Sequence, residues 1–180
     1  MRFRAVFGTL FLLVAAAAWA GKYKLAADAA SAEFHAESSS DSTGTTLRTL
    51  MAWASADAIE CKADKHGEYL GRDMHNKVVG KTPTIRIAAG EAFTLTIQYG
   101  ESRMGETRQC AVTGTFTPAA GRRYLGRIEV IDNTDHCNLG VYDITDGVET
   151  KMETSLPGTM SCARTADGRM PNGLPILQKF

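Results

Sequence analysis

The sequence predicts an all-β fold, an antiparallel sandwich of about seven or eight strands with an irregular C-terminal tail. Apolar and polar residues alternate through AFTLTIQY, where Phe93, Leu95, Ile97 and Tyr99 share one face and Thr94, Thr96 and Gln98 the other. They alternate again where Cys110, Val112, Gly114 and Phe116 oppose Ala111, Thr113, Thr115 and Thr117. A period of two marks a strand with one buried face. Turn residues recur between such runs, and after Ala20 the chain shows no convincing amphipathic helix.

The first 20 residues, MRFRAVFGTLFLLVAAAAWA, set Arg2 and Arg4 before an apolar run from Ala5 to Ala18 and end on Ala18-Trp19-Ala20. This is the layout of a secretory signal peptide over 1–20, cleaved after Ala20. The run falls short of the ~20 apolar residues of a membrane span, and Gly8 and Thr9 interrupt it. The first cysteine is Cys61, so no lipid anchor is expected at the cleavage point. The remaining 160 of 180 residues suit one domain: a sandwich over 21–147 and a tail over 148–180.

Within the sandwich, SAEFHAE reads as a first strand, and the small polar run SSSDSTGTT, residues 38–46, as an exposed loop. LRTLMAWA and AIECK read as strands around Ser55-Ala56-Asp57, and ADKHGEYLGRDMHNKVVGK as a hairpin or long loop. TPTIRIA is the next strand, with Ala89-Gly90-Glu91 turning the chain into AFTLTIQY; GESRMGE is the following loop.

Between Gly114 and Arg123 the choice is between a phosphate-binding loop and a turn. Gly114 and Gly121 stand seven apart, Arg122 and Arg123 follow, and RRYLGRIEV is rich in β-formers. A P-loop needs a five-residue glycine spacing, then Lys and Ser or Thr opening a helix. Pro118 and Gly121 therefore make a turn between strands, and the two arginines a solvated strand start. Tyr124, Ile128 and Val130 share a face of the next strand; DNTDH turns the chain, and CNLGVYDI is a strand running to the Asp146-Gly147 turn. The tail beyond holds three of the five prolines and loses all periodicity.

The succession PTIRIAAGEAFTLTIQY, CAVTGTFTPAAGRRY and CNLGVYDI resembles a group of exported bacterial proteins with a transthyretin-like or PEGA-like β-sandwich, of the immunoglobulin-like kind. The shared elements are the strand-ending turn Ile87–Gly90 and Phe116–Tyr124; the likeness covers residues 82–144 and, more loosely, 31–70. These are hairpin motifs, so the resemblance implies a fold and carries no catalytic residues.

Four cysteines, Cys61, Cys110, Cys137 and Cys162, follow the signal segment, and in an oxidising compartment an even number implies two disulfides. Zinc would want close pairs, whereas the nearest two here are 25 positions apart. Three pairings are possible. Cys110 with Cys137 is preferred, because both lie in strand-like segments joined through one intervening strand; Cys61 with Cys162 would then fasten the tail.

A zinc or copper site is conceivable from His66 and His75 with Asp64 or Asp73. The two histidines are nine apart in a polar stretch, which favours exposed loop residues, and no metal is expected. His136 beside Asp132 and Asp135 would suit a general base, yet no G-x-S-x-G elbow names a nucleophile. DNTDHCN lacks the sixth-position glycine and twelfth-position glutamate of a calcium loop. Methionines are scattered, and Met51 with Trp53 reads as packing.

The formal charge is 0, and losing Arg2 and Arg4 leaves the mature chain near −2, without the basic stripe of a nucleic-acid binder. These readings favour a periplasmic or secreted, non-catalytic binding or scaffold domain of the bacterial cell envelope. It would use a protein partner, with no cofactor, no nucleic acid and no stable membrane anchor after cleavage. One alternative is a periplasmic inhibitor or immunity-type protein presenting SSSDSTGTT or GESRMGE as a protruding loop. The other is a metal-assisted hydrolase, which needs His66, His75 and His136 to converge.

Overall fold

The structure, a computed structural model, describes residues 22–43, 47–55, 67–103, 106–134, 136–155, 159–161 and 176–178. In chain order the strands are β1 (Ser31–Ser40), β2 (Leu47–Ser55), β3 (Gly67–His75), β4 (Gly80–Lys81), β5 (Ile85–Ala88), β6 (Phe93–Arg103), β7 (Glu106–Phe116) and β8 (Arg123–Ile131). After a 3-10 turn, Asp132–Thr134, come β9 (His136–Asp143), β10 (Thr150–Lys151), β11 (Thr159–Ser161) and β12 (Ile176–Gln178). The chain forms the expected all-β sandwich of two sheets. One has the order β3-β2-β6-β7; the other runs β10-β9-β8-β1-β4, with β5 also on β1. Among the described residues, β11 and β12 pair only with each other.

Every pairing between named strands is antiparallel except β1 with β8, which run parallel from Glu33↔Arg123 to Ser40↔Val130. A parallel pair needs a long crossover, and the whole opposite sheet lies between these two strands in sequence. The strict alternation of β6 and β7 fills the core: Leu95, Ile97, Tyr99 and Val112 of one sheet pack with Phe34, Ile128, Val130 and Val141 of the other. At Gly126 a Cβ would meet Ile97 Cδ1 at 2.8 Å and Phe34 Cζ at 2.9 Å. The missing side chain is what lets that ring reach the facing sheet. Cys110 of β7 and Cys137 of β9, both buried, form the preferred disulfide across the sheets, with a Cα separation of 6.4 Å. Cys61 and Cys162 lie outside the described residues.

The stretch after Phe116 is a turn. Gly121 has φ +74°, and its N–H donates to Ser31 O at 2.8 Å, which sets β8 beside β1. Chain segments also tie the two open sides of the sandwich. Tyr23 N–H donates to Tyr69 O of β3, while Tyr23 OH accepts from Ala88 N of β5. On the other side, Met152 N–H donates to Val141 O and Ser155 exchanges two 3.0 Å bonds with Thr115. The first part of the segment read as tail therefore stays attached to both sheets as far as Ser155.

Two loop expectations are corrected, and the stretch expected as a hairpin or long loop contains a long strand. SSSDSTGTT begins inside β1: Ser38 and Ser40 are buried where parallel pairing continues to Val130, and Ser42 is buried just beyond the strand. GESRMGE is mostly strand, with β6 running to Arg103 and β7 starting at Glu106. GEYLGRDMH is the nine-residue strand β3, whose register shifts at a bulge opposite Ala52 and Trp53. AIECK lies outside the described residues.

Candidate functional site

At the end of the sandwich where β7 turns into β8, a cleft of about 520 Å³ opens between that turn and the segment after β9. Arg122, Tyr124, Asp143, Asp146, Val148 and Met152 are among its walls. Antiparallel register sets Tyr124 opposite Asp143, so β8 and β9 deliver Arg122 and Asp143 side by side. Arg122 Nε lies 3.1 Å from Asp143 Oδ2 and Nη1 lies 3.1 Å from Asp146 Oδ2. Burial alone would raise the Asp143 pKa. Hydrogen bonds from Thr145 and the charges of Arg122 and Arg123 outweigh it and hold the carboxyl below its ordinary value. Arg123 hydrogen-bonds the carbonyls of Ile144 and Thr145.

Arg122 thus faces two carboxylates and is not an anion clamp, in keeping with the turn reading. What remains open to a ligand is Asp146, with a side chain 81% exposed, beside the exposed Val148 and the half-buried Met152. An acceptor next to an apolar wall suits a segment that presents a donor or cation together with apolar side chains.

At the opposite end a polar network is buried. Arg48 donates to Tyr99 OH (3.1 Å), Asn76 O (3.1 Å) and Ser42 O (2.8 Å). Tyr99 OH donates to Glu101 Oε2 at 3.2 Å, while Arg103 (2.6 Å) and Thr134 (2.8 Å) donate to Glu101 Oε1. Burial would raise the Glu101 pKa, but the bonds from Thr134 and Arg103 hold it below its usual value; burial pushes the Tyr99 hydroxyl up. Arg48 and Arg103 both reach internal acceptors, so the network fastens loops to strands.

A third cluster lies on the outer face of the β1/β8 sheet. Arg127 makes bonds of 2.8 and 2.6 Å to the two oxygens of Glu149, approaches Glu37 at 3.5 Å and stands over Tyr142. His35 lies 3.3 Å from Glu37. Its pKa is lowered, first by burial and then by Lys81.

Of the sequence-predicted residues, His75 donates from Nδ1 to Lys77 O at 2.9 Å. Its Nε2 is buried against Gly80, where a Cβ would overlap it, and lies 3.9 Å from Asp73 Oδ2. The nitrogen that would bind a metal is therefore covered by backbone. His136 Nδ1 lies 3.1 Å from Asp132 Oδ2 on the surface. His75 sits on β3 at one edge of its sheet, and His136 starts β9 beside the other edge, next to the Cys110–Cys137 link. The structure does not bring these two together. His66, Asp64 and Asp135 lie outside the described residues, among which no cluster of three or more His, Cys, Asp or Glu is arranged for a metal.

Sequence reasoning missed the cleft carboxylate Asp146, read as a turn residue, and the buried Glu101. For Glu101 a signal existed: the period of two that runs from Phe93 to Tyr99 reaches Glu101 next. Comparison with family models, curated proteins and solved structures returned no match.

Proposed function

We propose that this is an exported, non-catalytic binding or scaffold domain of the bacterial cell envelope that holds a protein partner in the cleft at the β7–β8 turn. The observation that carries this reading is the cleft itself. It is about 520 Å³, it is braced by the Arg122–Asp143–Asp146 bridge, and it offers one exposed carboxylate next to an apolar wall. A preformed site of this kind fits a partner segment with a cationic or donor group between apolar residues. The signal-like N-terminus and the buried Cys110–Cys137 disulfide favour a periplasmic or secreted location.

A native mass spectrum of the protein from the periplasm tests this reading, set beside its denatured, non-reduced mass. The reading expects cleavage after Ala20, a mass about four hydrogens below the reduced chain, and no small ligand retained. A metal ion or small molecule that stays bound would overturn it.

A further inference from the structure

Six large apolar side chains among the described residues are exposed, and five of them stand at the end of the sandwich opposite the cleft: Leu47 (38%), Met74 (51%), Val78 (54%), Val79 (56%) and Ile131 (40%). Strand register places Leu47 and Met74 together. Met74 faces Thr49 and His75 faces Arg48 across β2 and β3, so Leu47 and Met74 share the outer face there. Val78 and Val79 follow in the connection to β4.

That connection is braced from inside. Arg48 Nη1 donates to Asn76 O at 3.1 Å, and His75 Nδ1 donates to Lys77 O at 2.9 Å. The His75 ring lies over Gly80, which closes the connection beneath. Two buried polar side chains thus take up consecutive carbonyls, and both valines remain on the outside. Exposed Arg72 shares the outer face of β3 with Met74, and exposed Lys77 directly precedes Val78; Lys81, with a side chain 56% exposed, instead approaches Glu37 at 3.4 Å on the outer face of the other sheet.

We infer that the β3–β4 connection is a membrane-surface contact, in which Val78 and Val79 enter the interface of an anionic bilayer while Lys77 and Arg72 meet its headgroups. The size of the patch decides against a protein partner: four side chains fall far short of the ~800 Å² that each side of a stable protein interface contributes. Interfacial contact works with a few apolar residues beside Lys and Arg on an anionic surface. Strand addition at the β3 edge is disfavoured by Asp73, which turns toward Lys81 N, and by the inward His75, since polar side chains aimed inward blunt an edge. Ile131 stands apart beside Asp132 and Asp41, which an anionic surface repels. The contact is therefore confined to the β3–β4 side, and it is independent of the cleft.

The test is flotation of the mature protein with vesicles of phosphatidylethanolamine and phosphatidylglycerol, and with vesicles of phosphatidylcholine alone. The protein is expected to float with the anionic vesicles only, less so as salt rises. The double variant Val78→Asp, Val79→Asp should lose at least about tenfold in bound fraction, and Lys77→Ala roughly fivefold. Val148→Asp, at the other end, should float like the wild type, and all variants should keep the wild-type Tm. Failure of the wild type to float, equal flotation on neutral vesicles, or a double variant that floats normally would overturn the inference. So would lipid-free self-association in the ultracentrifuge that the double variant abolishes, because the patch would then be a contact between copies.

Discussion

Thr134 donates a 2.8 Å hydrogen bond to Glu101 Oε1, joining the turn between β8 and β9 to the end of β6 in the facing sheet. Thr134 has φ +80°, a conformation that β-branched residues rarely take. The turn accepts that strain where the hydroxyl reaches a buried carboxylate, and Arg103 and Tyr99 complete the acceptor's shell.

Thr134→Ala should cost about 1.5–3 kcal/mol, the worth of a hydrogen bond to a charged group. Glu101→Ala should cost about 3–5 kcal/mol, because it leaves buried donors unpaired. In the double variant the two losses should fall short of their sum. Urea unfolding of the four proteins gives the coupling, and strict additivity would show that the bond contributes nothing.

Removing the cross-sheet disulfide with Cys110→Ala and Cys137→Ala should cost about 3.5 kcal/mol by chain entropy, given a sequence separation of 27. The loss should appear as a lower urea midpoint. An unchanged midpoint would mean that the link does not constrain the unfolded chain.

His35 links stability to pH. Its folded pKa lies below 6.5, so on acidification the unfolded chain takes up this proton first. Its contribution is constant above the unfolded pKa and is lost as pH falls from there toward the folded value. Glu101, Asp143 and Glu149 have lowered pKa values, so their contributions hold above the unfolded carboxyl values and vanish as pH falls through the folded ones. That window lies lower. Thermal melts should therefore show a fall in Tm just below pH 6.5 that His35→Gln removes, leaving the acid limb in place. A variant whose profile matches the wild type would refute the assignment.

Gly126→Ala should destabilise by about 1–3 kcal/mol, since the methyl meets Ile97 and Phe34 in a packed core. Gly100→Ala, whose nearest neighbour is the Gln109 side chain at 3.6 Å, should stay within about 0.5 kcal/mol. Equal midpoints for the two variants would contradict the close approach of the sheets at Gly126.

The strands legible in the sequence are those whose inward positions are apolar. Phe93 to Tyr99 and Cys110 to Phe116 declare their buried face, and Gly121 declares its turn. Legibility ends where the inward position is polar. Ser38 and Ser40 look like loop residues until β8 covers them. Asp73 and His75 break the apolar alternation of β3, and Glu101 hides the last rungs of β6. The cleft was illegible for another reason. Arg122 and Asp143 are 21 positions apart and become neighbours only through the β8–β9 register, which a sequence read for local period does not fix.

The central claim, that the cleft holds a protein partner, is tested most directly by placing a photo-crosslinking residue at Val148 in cells and probing the envelope fraction. The account predicts a discrete adduct with one envelope protein, abolished by Asp146→Lys and retained in the Val78→Asp, Val79→Asp variant. No adduct, or one indifferent to Asp146→Lys, would contradict it.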